Sequence, residues 1–556
     1  MTQREEEASA SSGADAGVIV LVIVMLLMLL WHVAIAAATV GHTISDFGAT
    51  ADAFGAESPL TITGAERTSR AGLIIVIIGE LLVISGVAGL WMRHKRRASM
   101  QGLATSRQLS TATRVKGFED IGTIAVLDGR KITLTARDTV LMVATPQSGK
   151  TSRYAAYRVN DAPGPVVATS TKVDLLRATQ AFRRERGEVH VFDPSGVSTW
   201  TDRTSWNIIG GCEDPEIAMK RAEAMVAAAP LGDAKNADAF EKFAKTVLRC
   251  YLHAAAIKPN GSIRDVLDWA SDFDDEEPYI LLRDSKEAPT WRGDLLQMTR
   301  SESYETVGSI RIALSTILEC LKLEKTVRWL MPGGLQFDVE AFLDSDDALY
   351  LLSESGRSNS AAPILTALVS EIERAARLRS QHTVTNRLEK TLTLVLDEAA
   401  NIAPIPTLPE LISDGGGRGI SVHVLVQGAS QLRDRWGKDG ADTVFAAASV
   451  RLILGGGMDA DWLEELSKLG GTRQSERVSE QTSRTGSSRS VTYDRERILD
   501  PDEIRRLDDG EALLMYRKLP PAIVEMRGYW ESRKRKAFEA SVKDSLEREG
   551  LTDVRQ

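Results

Sequence analysis

The chain has 556 residues, of which 43% are hydrophobic and 26% are charged, and its formal net charge at pH 7 is −9. This length exceeds that of one ordinary domain, and the composition excludes a disordered or fibrous protein. The negative charge argues against a sequence-specific DNA-binding protein, because any contact with DNA must use a local basic surface. Three widely spaced cysteines, Cys212, Cys250 and Cys320, fit neither a metal site nor a disulfide framework, so we expect buried free thiols.

Two apolar runs near the start of the chain have the length of membrane-spanning helices. Gly17–Val40 carries no formal charge, and Gly72–Met92 carries only Glu80. As a helix, each run can cross roughly 30 Å of hydrocarbon. A cleaved signal peptide is disfavoured for the first run by its length, its acidic flank MTQREEE and the lack of a cleavage site. The sequence therefore predicts an N-terminal two-helix transmembrane hairpin over residues 17–93.

Lysines and arginines near the two runs set the predicted orientation of the hairpin. The cluster Arg93–Arg97 directly follows the second run, whereas the N-terminal tail offers only Arg4. We therefore expect a multi-pass protein of the plasma (inner) membrane. Its tail, residues 1–16, and its C-terminal bulk would be cytoplasmic, and the loop at about 41–71 would face outside. The role of Glu80 stays open between a functional intramembrane carboxylate and one that is protonated or pairs with another subunit.

After a Ser/Thr-rich connector, residues 94–137, a short strand pattern leads into a phosphate-binding loop. Val140–Val143 is apolar, the segment ATPQSGKT follows it, and a helical pattern begins at once. Backbone N–H groups in such a loop cradle phosphates, its lysine neutralises the β- and γ-phosphates, and its hydroxyl ligates Mg²⁺. These roles fall to Lys150 and Thr151. The predicted ATP-binding residues are Ala144, Thr145, Pro146, Gln147, Ser148, Gly149, Lys150, Thr151 and Ser152.

The loop departs from the usual phosphate-binding pattern at its first position, where Ala144 replaces glycine. Alanine can serve there if the backbone does not need a positive φ. Pro146 removes one N–H, but early in the loop, before the residues that wrap the phosphates most closely. The loop alone indicates a phosphate-binding site, and the strand before it and the helix after it support this prediction.

A second motif completes the predicted catalytic site. The apolar run Thr391–Leu396 ends in Asp397 and Glu398, where the aspartate would hold Mg²⁺ and the glutamate would polarise the attacking water. An Asp-Glu pair also often follows a strand without any catalytic role. The phosphate-binding loop disfavours that interpretation here. Another strand pattern, Val422–Val426, ends in Gln427, which is either a sensor of the γ-phosphate or a plain exposed residue.

The remaining patterns predict an α/β fold with a doubly wound, mostly parallel sheet. Residues 138–216 form the first part of the nucleotide-binding core, and residues 331–530 form the second. Between them, residues 217–330 show helical spacing, as in IAMKRAEAMVAAA, and predict an inserted all-α subdomain. The tail, residues 531–556, mixes charges at helical spacing and predicts an exposed helix.

A polar segment near the end of the core, residues 474–494, lacks an apolar period and predicts a flexible loop. Its arginines are either solvated or line a channel, where they would touch phosphates without reading sequence. They are Arg477, Arg484 and Arg489.

The stretch Leu394–Leu432, LVLDEAANIAPIPTLPELISDGGGRGISVHVLVQGASQL, resembles the type IV secretion coupling proteins of conjugation systems, the TraG/TraD type with its TraM-recognition-like C-terminal half. The shared landmarks are the Asp-Glu pair, Asn401, a proline-bearing turn, a Gly/Arg-rich turn, and a strand ending in Gln427 followed by Gln431-Leu432. The resemblance implies a RecA-like P-loop core in a membrane-anchored homo-hexameric ATPase that recruits DNA or nucleoprotein to a type IV secretion channel. Relaxase or relaxosome, channel proteins and DNA bound without sequence preference would be its partners.

The chain departs from this family at the Gly/Arg-rich turn, where Gly416 stands at the position of the first arginine. The arginine finger that the family supplies between subunits therefore cannot be carried over, and Arg418 or Arg357 would have to replace it. Beside Lys172, the family's acidic residue is also changed, to Ser170 or Thr171. Neither change affects the predicted ATP-binding residues, and the identity of the activating arginine stays open.

Two other functions fit parts of the same pattern. An FtsK-like double-stranded DNA translocase also joins membrane spans to a RecA-like motor. A non-hydrolysing membrane docking adapter would bind nucleotide without turnover, in keeping with the changes at Ala144 and Gly416. The sequence does not separate single-stranded, double-stranded and protein-only cargo.

Overall fold

The structure is a computed structural model that describes residues 102–113, 120–229, 237–331, 335–354, 361–483 and 486–551, with the side chains of 120, 237–238 and 476–491 excepted. The predicted hairpin over residues 17–93, with Glu80, lies outside these residues, as does Arg357. Within the described part of the chain, no helix is both long and apolar enough to cross a membrane. The compact unit described below is Gly102–Gln556.

An eleven-stranded sheet with the order β2-β1-β13-β12-β9-β3-β8-β7-β4-β6-β5 organises this unit. Seven neighbouring strands, from β9 to β5 in that order, are parallel, and the four others pair antiparallel. The predicted α/β fold is therefore confirmed, with a mixed sheet. The strands are β1 Asp120–Leu127, β2 Arg130–Thr135, β3 Val140–Val143, β4 Val166–Ser170, β5 Val189–Phe192, β6 Ala348–Leu352, β7 Leu392–Leu396, β8 Ile420–Val426, β9 Val450–Leu454, β12 Glu511–Tyr516 and β13 Ala522–Glu525.

The central parallel strands are short, apolar and buried along their whole length. Strands β3, β7 and β8 read VLMV, LTLVL and ISVHVLV, and every residue in them is buried. Strands of this kind have both faces covered by helices, so they show continuous apolar runs instead of alternation. Their carboxyl ends meet at one edge of the sheet, which is where ligands bind in open α/β sheets.

Helices cover both faces of the sheet and fill the interval between β5 and β6. Within that interval, α4 to α10 form a helical subdomain built around α5, where the sequence predicts the all-α insertion. The helices are α1 Ser106–Ala112, α2 Ala156–Asp161, α3 Asp174–Arg184, α4 Pro215–Ala228, α5 Ala237–Ile257, α6 Ile263–Ser271, α7 Glu277–Asp284, α8 Trp291–Thr299, α9 Tyr304–Ile317, α10 Glu324–Val327, α11 Val339–Asp344, α12 Ala362–Gln381, α13 Ala399–Ile402, α14 Leu408–Arg418, α15 Ala429–Ala447, α16 Ala460–Gly470, α17 Pro501–Arg505 and α18 Arg535–Arg548.

The three cysteines, Cys212, Cys250 and Cys320, are free and buried, as predicted. Burial raises the pKa of each thiol, to about 11 for Cys212 and about 12 for the other two. Thiols with such pKa values stay protonated at neutral pH and behave as small core residues.

The connector contains a hairpin that the sequence analysis did not predict. Strands β1 and β2 pair antiparallel around Asp128 and Gly129, which both have positive φ. An Asp-Gly pair in this conformation matches the twist of the flanking strands and is a strong hairpin signal. The antiparallel part of the sheet joins this hairpin to β13 and β12, so the segment before the P-loop and the end of the core form one structure.

The prediction of a flexible loop over residues 474–494 is wrong. Strand β10, Thr472–Ser483, pairs antiparallel with β11, Gly486–Arg497, in unbroken register from Thr472 opposite Arg497. This two-stranded ribbon pairs with no strand of the large sheet. The sequence of this segment lacks alternating apolar residues, the signal on which strand prediction rests, which is why the two strands were missed. The side chains of Arg477, Arg484 and Arg489 lie outside the described part, so their channel role stays a prediction.

The C-terminal tail is helical as predicted, but the prediction that it is an exposed helix is wrong for one of its faces. Phe538 on α18 is fully buried, with ring centroids 4.8 Å from Phe182 and 4.9 Å from Tyr529. Just after the helix, Glu549 accepts two hydrogen bonds from Arg177 of α3, at 2.8 and 2.7 Å. One aromatic residue among many charges carries this contact, so helical charge spacing alone could not reveal it.

Candidate nucleotide site

The phosphate-binding loop follows β3 and leads into a wide helical turn, Thr151–Ala155, that continues as α2. Ala144 anchors the start of the loop, because its N–H donates to the carbonyl of Val426 on β8 at 3.0 Å. Positive φ in the loop occurs at Gln147 and Gly149, not at Ala144. Alanine at the first position therefore causes no backbone strain.

Some side chains of the loop contact backbone carbonyls, and others are exposed. Ser148 and Ser152 donate to loop carbonyls, at 2.6 Å to Thr145 and 3.2 Å to Gly149, so they shape the loop. The Thr145 hydroxyl lies 3.4 Å from the carbonyl of Gly455, just beyond β9. Pro146 and Gln147, by contrast, are exposed at the tip.

The predicted catalytic side chains meet at the carboxyl edge of the sheet. The Thr151 hydroxyl donates to Asp397 Oδ2 at 3.1 Å. The Lys150 ammonium forms a buried ion pair with Glu398, and its Nζ lies 3.8 Å from Asp397 Oδ1. Gln427 Nε2 lies 2.8 Å from both carboxylate oxygens of Glu398. The structure thus brings together five residues from a stretch of 278 residues that begins at Lys150 and ends at Gln427.

Strand order explains why these residues meet. Strand β8 lies between β3 and β7, so Gln427 at its end stands between the P-loop and the Asp-Glu pair. Adjacent strands are spaced by about 4.8 Å, which places the ends of β3 and β7 roughly 10 Å apart and within reach of side chains from both. The motifs and all three strands were predictable from the sequence, but the position of β8 between β3 and β7 was not.

Glu398 has a strained backbone that directs its side chain. Its φ and ψ are 56° and 41°, the left-handed region that non-glycine residues rarely adopt. Such strain costs on the order of 1–3 kcal/mol and persists where the surrounding structure requires it. Here the carboxylate is held by Lys150 and Gln427, and Asn401 Nδ2 lies 3.4 Å from it.

Asp397 has the properties of a magnesium ligand. Burial raises the pKa of its carboxyl to about 6, the Lys150 ammonium opposes this, and the Glu398 carboxylate adds to it. Among the described residues, no hydrogen-bond donor reaches its buried Oδ1. A hard cation prefers oxygen ligands such as a carboxylate and a hydroxyl, so Asp397 and Thr151 together fit Mg²⁺.

Two contacts behind the site were not foreseen. The Thr169 hydroxyl of β4 donates to the backbone carbonyl of Asp397 at 2.7 Å and fixes the end of β7. The Tyr154 hydroxyl, one turn after the P-loop, lies 2.8 Å from Nδ1 of His423 on β8. Complete burial lowers the pKa of His423 well below its usual range, so the imidazole is neutral. A lone threonine, tyrosine or histidine in an apolar run carries no sequence signal for such contacts.

The Gly/Arg-rich turn forms the end of α14, and its geometry explains the departure at Gly416. A Cβ at this position would lie 2.2 Å from the backbone carbonyl oxygen of Arg137, so no side chain fits. Arg418, the predicted alternative, donates to Asp414 at 2.7 Å within the same helix. Lys172 contributes its backbone N–H to the Ser170 hydroxyl at 3.2 Å.

Comparison with known proteins places this fold and site. Residues 391–509 match the family described as the TraM recognition site of TraD and TraG. No curated protein matches the chain significantly by sequence. The solved structure of the bacterial conjugative coupling protein TrwBdeltaN70, unbound, is similar with a TM-score of 0.57 and 20% identity, over 76% of this chain and 92% of that one.

Two further TrwB structures, which share the fold, were solved with nucleotides. The complex with the non-hydrolysable ATP analogue ADPNP matches with a TM-score of 0.56 and 18% identity. The complex with ADP and Mg²⁺ matches with a TM-score of 0.56 and 19% identity. Each covers 76% of this chain and 92% of its own.

The class defined by fold and site is a RecA-like P-loop protein. Within that class, the family segment at residues 391–509 and the TrwB-like fold confirm the predicted resemblance to TraG/TraD-type conjugative coupling proteins.

Proposed function

We propose that the chain is an ATPase that hydrolyses Mg²⁺-ATP at this site. The observation that carries the proposal is the convergence of Lys150, Thr151, Asp397, Glu398 and Gln427 at one edge of the sheet. Phosphoryl transfer requires positioning and charge stabilisation, and these side chains supply both. When bound, Mg²⁺ would be held by Thr151 and Asp397 and would neutralise charge on the β- and γ-phosphates.

The Lys150–Glu398 ion pair suggests how binding prepares the site. To reach the phosphates, the Lys150 ammonium would exchange Glu398 for phosphate oxygens. The freed carboxylate would then accept a proton from the attacking water and orient it in line with the γ-phosphate. Gln427 donates to Glu398 and would follow its movement, so β8 would respond to the state of the γ-phosphate.

We further propose that hydrolysis serves conjugative transfer, with the chain recruiting DNA or nucleoprotein to a type IV secretion channel. Support comes from the family segment, whose description names TraM recognition by TraD and TraG, and from the fold of TrwB, a conjugative coupling protein. Membrane anchoring by residues 17–93, assembly into a homo-hexamer, and contacts with relaxase and channel proteins belong to this proposal. An arginine from a neighbouring subunit would complete each site.

ATP hydrolysis by the purified full chain, with no DNA, single-stranded DNA or double-stranded DNA, tests the proposal. Lys150→Ala removes phosphate contact and Glu398→Gln removes the base, so turnover should fall at least about 100-fold in both. Stimulation by single-stranded DNA would support the coupling-protein role. Preference for double-stranded DNA would favour the FtsK-like translocase, and Mg²⁺-ATP binding without turnover would favour the docking adapter.

A further inference from the structure

A second concave site lies at the carboxyl end of the edge strand β5, apart from the P-loop. It is a cavity of about 450 Å³ where the core meets the end of the helical subdomain. Three basic residues line it: Arg203 from the segment after β5, and Lys325 and Arg328 around α10. The acidic residue in the lining is Asp193. The cavity is therefore basic, although the whole chain carries a net charge of −9.

The lining of the cavity carries three formal positive charges and one negative charge, that of Asp193. In the described part of the chain, Asp193 forms no ion pair with these cations, because its carboxylate is hydrogen-bonded within its own loop. Its Oδ1 accepts from the N–H groups of Gly196 and Val197, each at 2.9 Å. Its Oδ2 accepts from the N–H and the hydroxyl of Ser198, at 2.7 and 2.9 Å. The aspartate is buried, and its charge serves to order the rim of the cavity.

The three cations are weakly compensated. Lys325 Nζ has a backbone carbonyl, that of Ser195, at 3.5 Å, and in the described part of the chain no ion pair joins Lys325 or Arg203 to a carboxylate. The Arg203 guanidinium lies over the Trp329 ring, 5.4 Å from its centroid. Arg328 lies 3.5 Å from Glu324, which also accepts from Arg264 at 2.6 Å. The cavity thus presents positive charge that no described protein group fully neutralises.

This cavity and the nucleotide site open on the same edge of the sheet. Strand β5 is three strands from β7, or roughly 14 Å at the usual strand spacing. Hydrogen-bonding groups connect the intervening strand ends: the hydroxyls of Ser195 and Ser353 lie 3.4 Å apart, and the Ser353 N–H donates to Ser170 at 3.3 Å. Hydrogen bonds therefore link the loop that lines the cavity, across the ends of β6 and β4, towards β7, where Thr169 of β4 holds the carbonyl of Asp397.

We propose that this basic cavity binds the phosphate backbone of a single DNA strand, independently of sequence, with a base stacked on the Arg203 guanidinium. Arginine and lysine side chains bind phosphates, and guanidinium planes stack on bases. The Arg203 Nε–H donates to the Trp200 carbonyl at 3.3 Å, a neutral partner that leaves the charge of the guanidinium in place. A strand fits better than a small ligand because the cations continue outward, with the Arg328 side chain 77% exposed. This proposal rests on the proposed function in DNA transfer. The cavity would be the local basic surface that contact with DNA requires.

Fluorescence anisotropy of a labelled single-stranded oligothymidine with the full chain tests this site. The variant Lys325→Gln with Arg328→Gln removes two cations. Its affinity should fall about tenfold or more, and the slope of log affinity against log salt should drop by roughly 1.4. The matched control, Lys286→Gln with Arg292→Gln, removes two exposed cations of the same subdomain outside the cavity and should bind like the wild type.

Equal oligothymidine affinity and salt slope in the two double variants would overturn the proposal. The proposal would also be overturned if the Lys325→Gln, Arg328→Gln variant lost affinity for thymidine monophosphate but kept its affinity for oligothymidine, because the cavity would then be a site for a small anion. ATP hydrolysis without DNA and the Tm should be unchanged in both variants, because these cations lie outside the nucleotide site. If the wild type hydrolyses no ATP, the proposed function fails, but oligothymidine affinity still decides the role of the cavity.

Discussion

In the proposed mechanism, the phosphates of ATP and the Glu398 carboxylate compete for the Lys150 ammonium, which forms an ion pair with Glu398 in the structure. Glu398→Gln removes the negative charge that holds Lys150 and keeps the size of the side chain. We expect ATP to bind about tenfold more tightly to this variant, the equivalent of roughly 1.4 kcal/mol, while hydrolysis is lost. Equilibrium binding of a fluorescent ATP analogue measures this, with exposed Glu410→Gln as the control. Weaker binding by Glu398→Gln would show that the ion pair does not compete with ATP.

The raised pKa of Asp397 predicts a pH dependence of stability. A carboxyl whose folded pKa is raised, here from 3.8 to about 6, favours the fold when protonated, and this contribution is lost as pH rises through about 6. Asp397→Asn mimics the protonated form. Without nucleotide, its Tm should therefore exceed that of the wild type by a few degrees at pH 8, and the difference should shrink towards pH 5. A Tm difference that is constant between pH 5 and pH 8 would contradict the assignment.

Gly416 and Gly417 are adjacent in α14 and differ in the space around them. A Cβ at Gly416 would lie 2.2 Å from the Arg137 carbonyl oxygen, whereas at Gly417 it would meet no atom within 4 Å. Gly416→Ala should destabilise the protein by about 1–3 kcal/mol or more. Gly417→Ala should be neutral or stabilise the protein by up to about 1 kcal/mol. Chemical denaturation of both variants measures the contrast. Equal stability of the two would show that the Arg137 backbone moves aside freely.

At the scale of secondary structure, α18 links the end of the chain to the helices of the nucleotide core. Phe538 packs against Phe182 of α3, and its ring centroid lies 5.8 Å from that of Tyr157 on α2, the helix that continues from the P-loop. Phe538→Ala should cost about 3–5 kcal/mol and lower the Tm, because it leaves a cavity among aromatic rings. Lys536→Ala, on the exposed face, should leave the Tm unchanged. A Tm unaffected by Phe538→Ala would mean that α18 does not stabilise the core.

Elements with one strong local signal could be predicted, and those formed by distant partners could not. The buried strands β3, β7 and β8 are continuous apolar runs, and each ends in a polar motif residue or loop. Their order in the sheet depends on crossovers that no local pattern encodes. The β10–β11 ribbon could not be predicted, because its sequence lacks the apolar alternation on which strand predictions rest.

For the molecule as a whole, the sheet joins a parallel half, which carries the nucleotide site, to an antiparallel half. The antiparallel half contains β1 and β2, which precede the P-loop, and β12 and β13, which close the core. The sequence predicted the parallel half from its motifs. It missed β1 and β2 because the Ser/Thr content of the connector drew attention away from its strand signals, the apolar run Ile124–Leu127 followed by Asp128-Gly129.

The candidate site was largely accessible to sequence reasoning because its chemistry is concentrated in three strand ends. Lys150, Thr151, Asp397, Glu398 and Gln427 were all named from motifs and spacing. The pairing of Lys150 with Glu398 was not, since a sequence motif describes residues in their ligand-bound roles. The basic cavity beyond β5 was not foreseen either, because Arg203 and Lys325 are separated by more than a hundred residues.

The most direct test of an ATP-driven DNA motor is displacement of streptavidin from the biotinylated end of a single-stranded oligonucleotide by the full chain. We predict displacement that requires hydrolysable ATP, fails with a non-hydrolysable analogue, and is lost in Lys150→Ala. A chain that hydrolyses ATP with DNA stimulation but never displaces streptavidin from either DNA end would contradict the motor. ATP turnover would then serve assembly or substrate release instead of movement along DNA.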